Sequence, residues 1–376
     1  MIDVLVFYPS NKRSVQLETL ITALHDRGVS IELLTTCEPG PLHDYLGGRG
    51  IPVHAHPIRS HFSPGYYARQ VAYLVRFCRR RGVGTVFSNL QHANFIAVFA
   101  QFAMRARVIA FRHHFNFAMP GDAIAIEPNR MEQLFDKVIN RLARRIVVPS
   151  SGVYNGMALV ERADMGRVVQ LPYFYDFSRY DEPDPEAVAA IRARYPARLR
   201  LLMSSRLVPF KRPGLAFSVV RDLVADGLDI RMIVLDDGPE RESLEQFVEE
   251  HGLGDRISLL GFRPDVVNYM AASDVLVHPS ITEASSSAVK EMALLGRTAI
   301  VCQGVGDFDD FVEPGRTGFL VPRSTDGSEI ADAIRLLYET PELAQEMGTR
   351  LRTAVIERFS LRPENVDRYL ELAAVG

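Results

Sequence analysis

Short runs of branched apolar residues alternate along this chain with stretches whose apolar positions recur every three or four residues. The first run is 2–7 (IDVLVF). Val15, Leu17, Leu20, Ile21 and Leu24 then fall on one face of a helix over 15–26, which Gly28 closes before a strand at 31–35. Further strands are predicted at 53–55, 85–88, 108–111 and 146–149, with helices at 66–80, 93–104 and 130–143. This rhythm builds a parallel sheet with helices on both faces. The acidic, proline-rich stretch DEPDP at 181–185 reads as a linker. A second series follows, with strands at 199–204, 230–235, 257–260, 274–278, 298–301 and 319–321. Its helices are predicted at 212–226, 241–251, 265–271, 286–295 and 329–338, and the tail 341–374 is helical. The expectation is an α/β chain of two Rossmann-like domains with parallel sheets and an interdomain cleft. The domains run 1–178 and 179–358, and a C-terminal helix within 359–376 packs back toward the first. Neither first strand is followed by GxGxxG, so a dinucleotide is not expected.

Composition narrows this picture. With 376 residues the chain exceeds one ordinary core, and 47% hydrophobic with 24% charged residues suits a soluble globular protein. The longest apolar run, 95–104, is too short to span a bilayer and holds Gln101. The N-terminus reads as a strand, not a signal peptide. Cys37, Cys78 and Cys302 give neither a disulfide set nor metal spacing, so a cytoplasmic setting is expected. The net charge of −3 hides an asymmetry: residues 1–175 carry 20 Lys and Arg against 12 Asp and Glu. No acidic residue occurs between Tyr45 and Gly121, where ten arginines and six histidines lie. The first half therefore faces an anionic partner, with peripheral contact at the inner face of a membrane as one expectation. Nucleic acid is not expected, because no binding motif accompanies the charge. Lysines number only four against 39 arginines, which singles out each lysine.

The richest stretch is 279–296, PSITEASSSAVKEMALLG, directly after the strand DVLVH. If Ser285 or Ser286 caps the next helix, its first turn offers free N–H groups and a positive dipole end. That is an anion site at the carboxyl end of a parallel strand. Glu283 and Glu291 bracket it; a buried Glu291 needs a partner, for which a ligand hydroxyl and a structural cation serve equally. The strand at 199–204 runs into SRLVPFKR, where Arg206 and Lys211 flank a loop able to hold a diphosphate without metal. The alternative is a solvated basic loop.

The runs SRLVPFKRP, VLDDGPERESLE, GFRPDVVNYMAASDVLVHPSITEASSSAVKEMALLGRTAIV and EPGRTGFLVP resemble, in order and spacing, the retaining glycosyltransferases of family 4, which have the GT-B fold. VFSNLQHA, ARVIAFRHHF and INRLARRIVVPSSGV resemble strand ends of the family's first domain. The resemblance implies that Arg206 and Lys211 bind the donor diphosphate and neutralise the leaving group. It places Glu283 by the sugar hydroxyls, Glu291 on the ribose, the amides of Ala284, Ser285 and Ser286 around phosphate or sugar, and Phe262 and Arg263 along the base. His113, with His114 as runner-up, matches the family histidine beside the donor sugar. The implied activity is sugar transfer from a nucleoside diphosphate sugar to a hydroxyl of a glycan or lipid-linked acceptor, with retention, a front-face path and no cofactor or metal.

Three stretches depart from the family. The first loop, usually glycine-rich, is Pro9-Ser10-Asn11-Lys12-Arg13-Ser14, so side chains of Ser10, Asn11, Lys12 or Arg13 are the expected contacts to donor or acceptor. Pro172-Tyr-Phe-Tyr-Asp176 replaces an Asn-Gly-Val-Asp turn, and Ala284-Ser285-Ser286 replaces Gly-Phe-Gly. Asp307-Phe-Asp309 spells the metal-binding D-x-D of another fold, but Arg206 and Lys211 already supply the cationic charge. The helix at 66–81 carries Arg69, Arg76, Arg79, Arg80 and Arg81 with aromatic and apolar residues interleaved, either a solvated face or a surface for anionic head groups. The rival functions are a non-catalytic nucleotide-sugar binder and another GT-B enzyme, such as a sugar-nucleotide epimerase or a phosphorylase.

Overall fold

The computed structural model describes residues 2–57, 63–113, 130–323 and 326–374. These form two compact units. The first holds 2–113, 130–177 and 359–374; the second holds 178–323 and 326–358.

The first unit runs β1 (Ile2–Tyr8), α1 (Val15–Asp26), β2 (Ile31–Thr35), α2 (Pro41–Gly47), β3 (Val53–Ala55), α3 (Pro64–Arg81), β4 (Val83–Asn89), α4 (Gln91–Ala100), β5 (Arg107–Phe111), α5 (Arg130–Leu142), β6 (Arg145–Val148), α6 (Ser151–Leu159) and β7 (Val168–Gln170). All seven strands are parallel, in the order β3-β2-β1-β4-β5-β6-β7. The strands between the edges are buried on both faces, which is why they read as continuous apolar runs.

The second unit runs α7 (Pro185–Arg194), β8 (Leu199–Ser204), α8 (Pro213–Ala225), β9 (Ile230–Leu235), α9 (Arg241–Glu250), β10 (Ile257–Gly261), α10 (Val266–Ala272), β11 (Val275–His278), α11 (Ser287–Leu294), β12 (Thr298–Cys302), β13 (Phe319–Val321), α12 (Ser328–Glu339) and α13 (Pro341–Phe359). Its strands are parallel too, ordered β10-β9-β8-β11-β12-β13. The last helix, α14 (Pro363–Ala374), belongs to the first unit, where Val366 and Tyr369 enter the core beside Phe111 and Phe174. Phe111 and Tyr369 stack at 6.2 Å.

Several local expectations need correction. The helix expected over 93–104 stops at Ala100, because Gln101 turns its amide back onto the carbonyls of Val98 (2.8 Å) and Leu142 (2.9 Å). The linker at 181–185 is shorter than expected: Asp184 caps α7 by accepting from the Glu186 N–H at 3.0 Å, and Pro185 takes the first helical position. The tail is two helices, interrupted where Tyr175 N–H donates to the Phe359 carbonyl (2.7 Å) and Leu361 N–H donates back to Tyr175 (2.9 Å). Helices α2 and α6 and the strand β7 are additional to the expected elements.

Candidate functional site

In the second unit the strand order reverses between β8 and β11: β8 continues to β9 on one side, while β11 and β12 lie on the other. Ligands in open α/β sheets bind outside the carboxyl ends of strands at such a switch point. Here those two ends carry the Arg206–Lys211 loop and the 279–286 segment.

The two loops are bonded to each other. Ile281 N–H donates to the Phe210 carbonyl at 3.0 Å, and Ser280 Oγ donates to the same oxygen at 3.3 Å. Arg212 is buried, sits in the left-handed region at φ +53°, and donates from Nε to the Pro279 carbonyl at 2.7 Å. This backbone splint sets Lys211 against Glu283, and the ammonium bonds Oε1 of the carboxylate. His278, the last residue of β11, reaches the same oxygen from behind at 2.7 Å. Phe308 meets the His278 ring edge to face at 5.8 Å. Burial alone would raise the Glu283 carboxyl. The hydrogen bond and charge of His278, followed by those of Lys211, instead hold it down to about 2 from an ordinary 4.5. The stabilisation from this pairing is therefore complete above pH 4.5 and is lost as the pH falls toward 2. Glu283 stays ionised at any physiological pH.

The other expected site residues of this unit lie in the loops after β8, β10 and β11 and on α11. Arg206 is exposed, and its guanidinium makes no ion pair among the described residues. Its loop rests on the Asp236-Asp237-Gly238 turn after β9: Leu207 N–H donates to the Asp237 carbonyl at 3.0 Å, and the Leu207 carbonyl accepts from Glu240 N–H at 3.1 Å. A Cβ on Gly238 would lie 2.3 Å from the Leu207 carbonyl oxygen. Gly238→Ala is therefore expected to displace the Arg206 loop and cost about 1–3 kcal/mol, measurable by thermal denaturation. A variant as stable as the parent would contradict this packing. At the edge of the sheet Gly261 takes φ +69°, followed by Phe262, 77% exposed, and Arg263, also exposed. Ser286 takes the extended N-cap conformation of α11, although its side chain makes no capping bond. Gly306 packs so closely that a Cβ there would come within 2.8 Å of Glu283 Cβ. Burial pushes the Glu291 carboxyl up, against a hydrogen bond from Ser287 and the charge of Lys290. Of the D-x-D pair, Asp307 is buried and paired with Lys290 at 2.8 Å, and Asp309 accepts from Gly304 N–H at 2.6 Å.

In the first unit the switch point lies between β1 and β4. The loop after β1 holds its own structure: Ser10 Oγ accepts from Lys12 N–H (3.2 Å), and Asn11 donates to the Glu38 carbonyl (2.9 Å). Arg13 forks onto the buried Glu18 at 2.5 and 2.7 Å and stacks on Tyr45 at 3.9 Å. Lys12 is exposed. After β4, Leu90 takes φ +67°, a conformation that costs a branched residue roughly 1–3 kcal/mol and tends to mark functional sites. Past β5, Arg112 is buried among Asp136 (3.0 Å), Glu161 (2.5 Å) and Asn140 (2.9 Å). His113 follows, with Nδ1 bonded to the Tyr173 hydroxyl and its ring stacked on Tyr173 at 5.7 Å. His114 lies outside the described residues.

The second unit thus gathers Arg206, Lys211, Glu283, the 284–286 segment, Glu291, Phe262 and Arg263 at the carboxyl edge of one sheet. Sequence reasoning missed Arg212, His278, Lys290 and Tyr173. A polar residue closing the apolar run VLVH, and one of only four lysines, were the signals available.

Comparison with known proteins agrees with this fold. Residues 14–173 match the model of the glycosyl transferase 4-like domain, and residues 188–353 that of glycosyl transferases group 1. The alpha-D-kanosaminyltransferase of Streptomyces kanamyceticus is 27% identical over 246 residues, 61% of this chain and 62% of that protein. A D-inositol 3-phosphate glycosyltransferase of Paenarthrobacter aurescens is 27% identical over 62% of this chain and 58% of its own length. The matched region thus spans about three fifths of these curated relatives. Among solved structures, Anabaena HepE in complex with UDP superposes with a TM-score of 0.81 at 20% identity, covering 100% of both chains. Sucrose-phosphate synthase from Thermosynechococcus elongatus gives 0.77 at 17% identity, covering 98% of this chain and 97% of that one. With both halves matched and the GT-B architecture present, the chain belongs to the GT-B glycosyltransferases of family 4 type.

Proposed function

We propose that the protein is a retaining glycosyltransferase that moves a sugar from a nucleoside diphosphate sugar to a hydroxyl of a glycan or lipid-linked acceptor. The observation that carries this reading is the Lys211–Glu283–His278 cluster at the switch point, flanked by the exposed Arg206 and the start of α11. Solved neighbours bound to UDP and UDP-glucose support the donor class.

Arg206 and Lys211 bind the diphosphate and take up the charge that develops as the anomeric carbon–phosphate oxygen bond breaks. The N–H groups opening α11 add to this without reorganising. The acceptor oxygen forms the new bond on the face the diphosphate leaves, and its proton passes to the departing phosphate oxygen. Neither enzyme carboxylate attacks the sugar, unlike the nucleophile of retaining glycosidases. Glu283, fixed as a carboxylate, accepts from sugar hydroxyls, while Glu291 accepts from the ribose, a hydroxyl partner that eases its burial. Phe262 lies along the base with Arg263 beside it, and His113, aimed by Tyr173, contacts the transferred sugar. The two cations do the work of a metal, and Asp307 is committed to Lys290.

A thermal-shift panel of UDP-, GDP-, ADP- and dTDP-sugars tests the donor site. A ligand at about 100 Kd stabilises by roughly 2.7 kcal/mol, so one nucleotide is expected to raise Tm clearly; a flat panel would sink the reading.

For the acceptor side, the motivating feature is α3. Arg69, Arg76, Arg79 and Arg80 are exposed, and a groove of about 900 Å³ runs along the helix past His56, which stacks on Tyr73 at 3.4 Å. Arg81 is already bonded to Glu32 at 2.5 Å. This face suits peripheral contact with anionic head groups at a membrane. None of the described helices is long and apolar enough to cross one. Co-sedimentation with phosphatidylglycerol vesicles at low salt, released at moderate salt and weakened in Arg69→Glu/Arg76→Glu/Arg80→Glu, is the expected result; no binding at low salt removes the idea.

A further inference from the structure

Behind the strand-to-helix turn at 284–286 lies a buried ionic cluster that donor binding does not use directly. Lys290, on α11, is fully buried and Asp307 is 1% exposed. The Lys290 ammonium donates to Asp307 Oδ2 at 2.8 Å, Ser285 Oγ at 2.8 Å and the Ser286 carbonyl at 3.3 Å. Ser285 Oγ spends its own proton on the same Asp307 oxygen at 2.6 Å. The Phe311 ring covers the ammonium at 5.0 Å.

Taking a lysine and an aspartate out of water costs several kcal/mol per ion, and packed apolar residues commonly serve stability as well or better. A cluster of this kind is better explained by what it holds. Outside the ion pair the cluster bonds Ser285 and Ser286, two of the residues whose amides open the proposed donor site. Asp307 also follows Gly306, the residue pressed against Glu283. One cluster thus braces both sides of the Glu283 turn.

We propose that Ser285, Lys290 and Asp307 act as a set of positioning residues that fixes the 284–286 backbone in the conformation receiving the donor. This rests on the donor-site reading above. The cluster touches the ligand only through the amides it holds, so its loss acts on donor affinity more than on the chemical step.

The test uses the full chain and the nucleotide sugar giving the wild type its largest thermal shift. Ser285→Ala keeps the fold and removes the tether, while Ser285→Thr keeps the hydroxyl. Lys290→Met/Asp307→Leu removes both charges together, so neither is left buried alone. Supporting groups of this kind typically change affinity by about 10- to 100-fold. The expected result is a donor KM and Kd raised at least about tenfold in Ser285→Ala and in the double variant, with kcat much less affected and Ser285→Thr close to wild type. Wild-type donor affinity in folded Ser285→Ala would overturn the proposal, whatever the double variant does. A wild type that binds no nucleotide sugar would instead defeat the donor-site reading, and this inference with it.

Discussion

Replacing Lys211 with alanine is expected to lower kcat by about 10²–10³, the cost of losing one preorganised donor to a developing anion. Its position argues for the upper part of that range. In the proposed site Lys211 both faces the leaving group and bonds Glu283, whose other partner among the described residues is the buried His278. Without it, Glu283 keeps one of its two supports and the site gains a net negative charge next to a departing diphosphate. Arg206→Ala, with no such second duty among the described residues, should lose a comparable factor without disturbing Glu283. Since Lys211 and Glu283 touch, the double variant Lys211→Ala/Glu283→Gln should lose less than the product of the single losses. Steady-state kinetics on the wild type, Lys211→Ala, Glu283→Gln, their double variant and Arg206→Ala decide this. Multiplicative losses would separate the two residues functionally, and near-wild-type turnover in both Lys211→Ala and Arg206→Ala would remove the assignment.

The largest effect on stability is expected from Arg112→Ala in the first unit. Its side chain is 2% exposed, with Glu161 at 1% and Asp136 at 3%. Removing the cation strands two buried carboxylates, a change that typically costs about 3–5 kcal/mol, or roughly 10 °C in Tm for a domain of this size. Because Arg112 precedes His113, a well-folded remnant would also misplace that histidine and lose turnover. Exchanging Arg112, Asp136 and Glu161 together for apolar residues should restore much of the stability without the activity. A Tm for Arg112→Ala within about 2 °C of wild type would contradict the buried network.

Much of this architecture is legible in the chain itself. Parallel strands buried on both faces write themselves as apolar runs, so β2, β8 and β9 begin and end where the pattern places them. Helix ends are less visible because they depend on single side chains, such as Gln101 folding back on Val98. The candidate site divides the same way. Arg206, Lys211, Glu283 and Glu291 could be named because their types and spacing match a family pattern. Arg212, His278 and Tyr173 could not, since their partners, Pro279, Glu283 and His113, depend on contacts that local pattern does not encode. The first loop carries the opposite lesson. Without glycine, Arg13 looked free to reach a ligand, but the buried Glu18 five residues later holds it. The Ala-Ser-Ser turn, unaccounted for by its spacing, acquires a physical reason in Lys290 and Asp307, which the Ser285 hydroxyl ties to the turn.

The central claim concerns the fate of the anomeric bond. Proton NMR of the reaction with the nucleotide sugar selected by thermal shift reads both turnover and the configuration of the product. Release of the nucleoside diphosphate with the donor's anomeric configuration kept is expected from the wild type and, far more slowly, from Lys211→Ala. Binding of nucleotide sugars with neither transfer nor hydrolysis, or a product of inverted configuration, would contradict it.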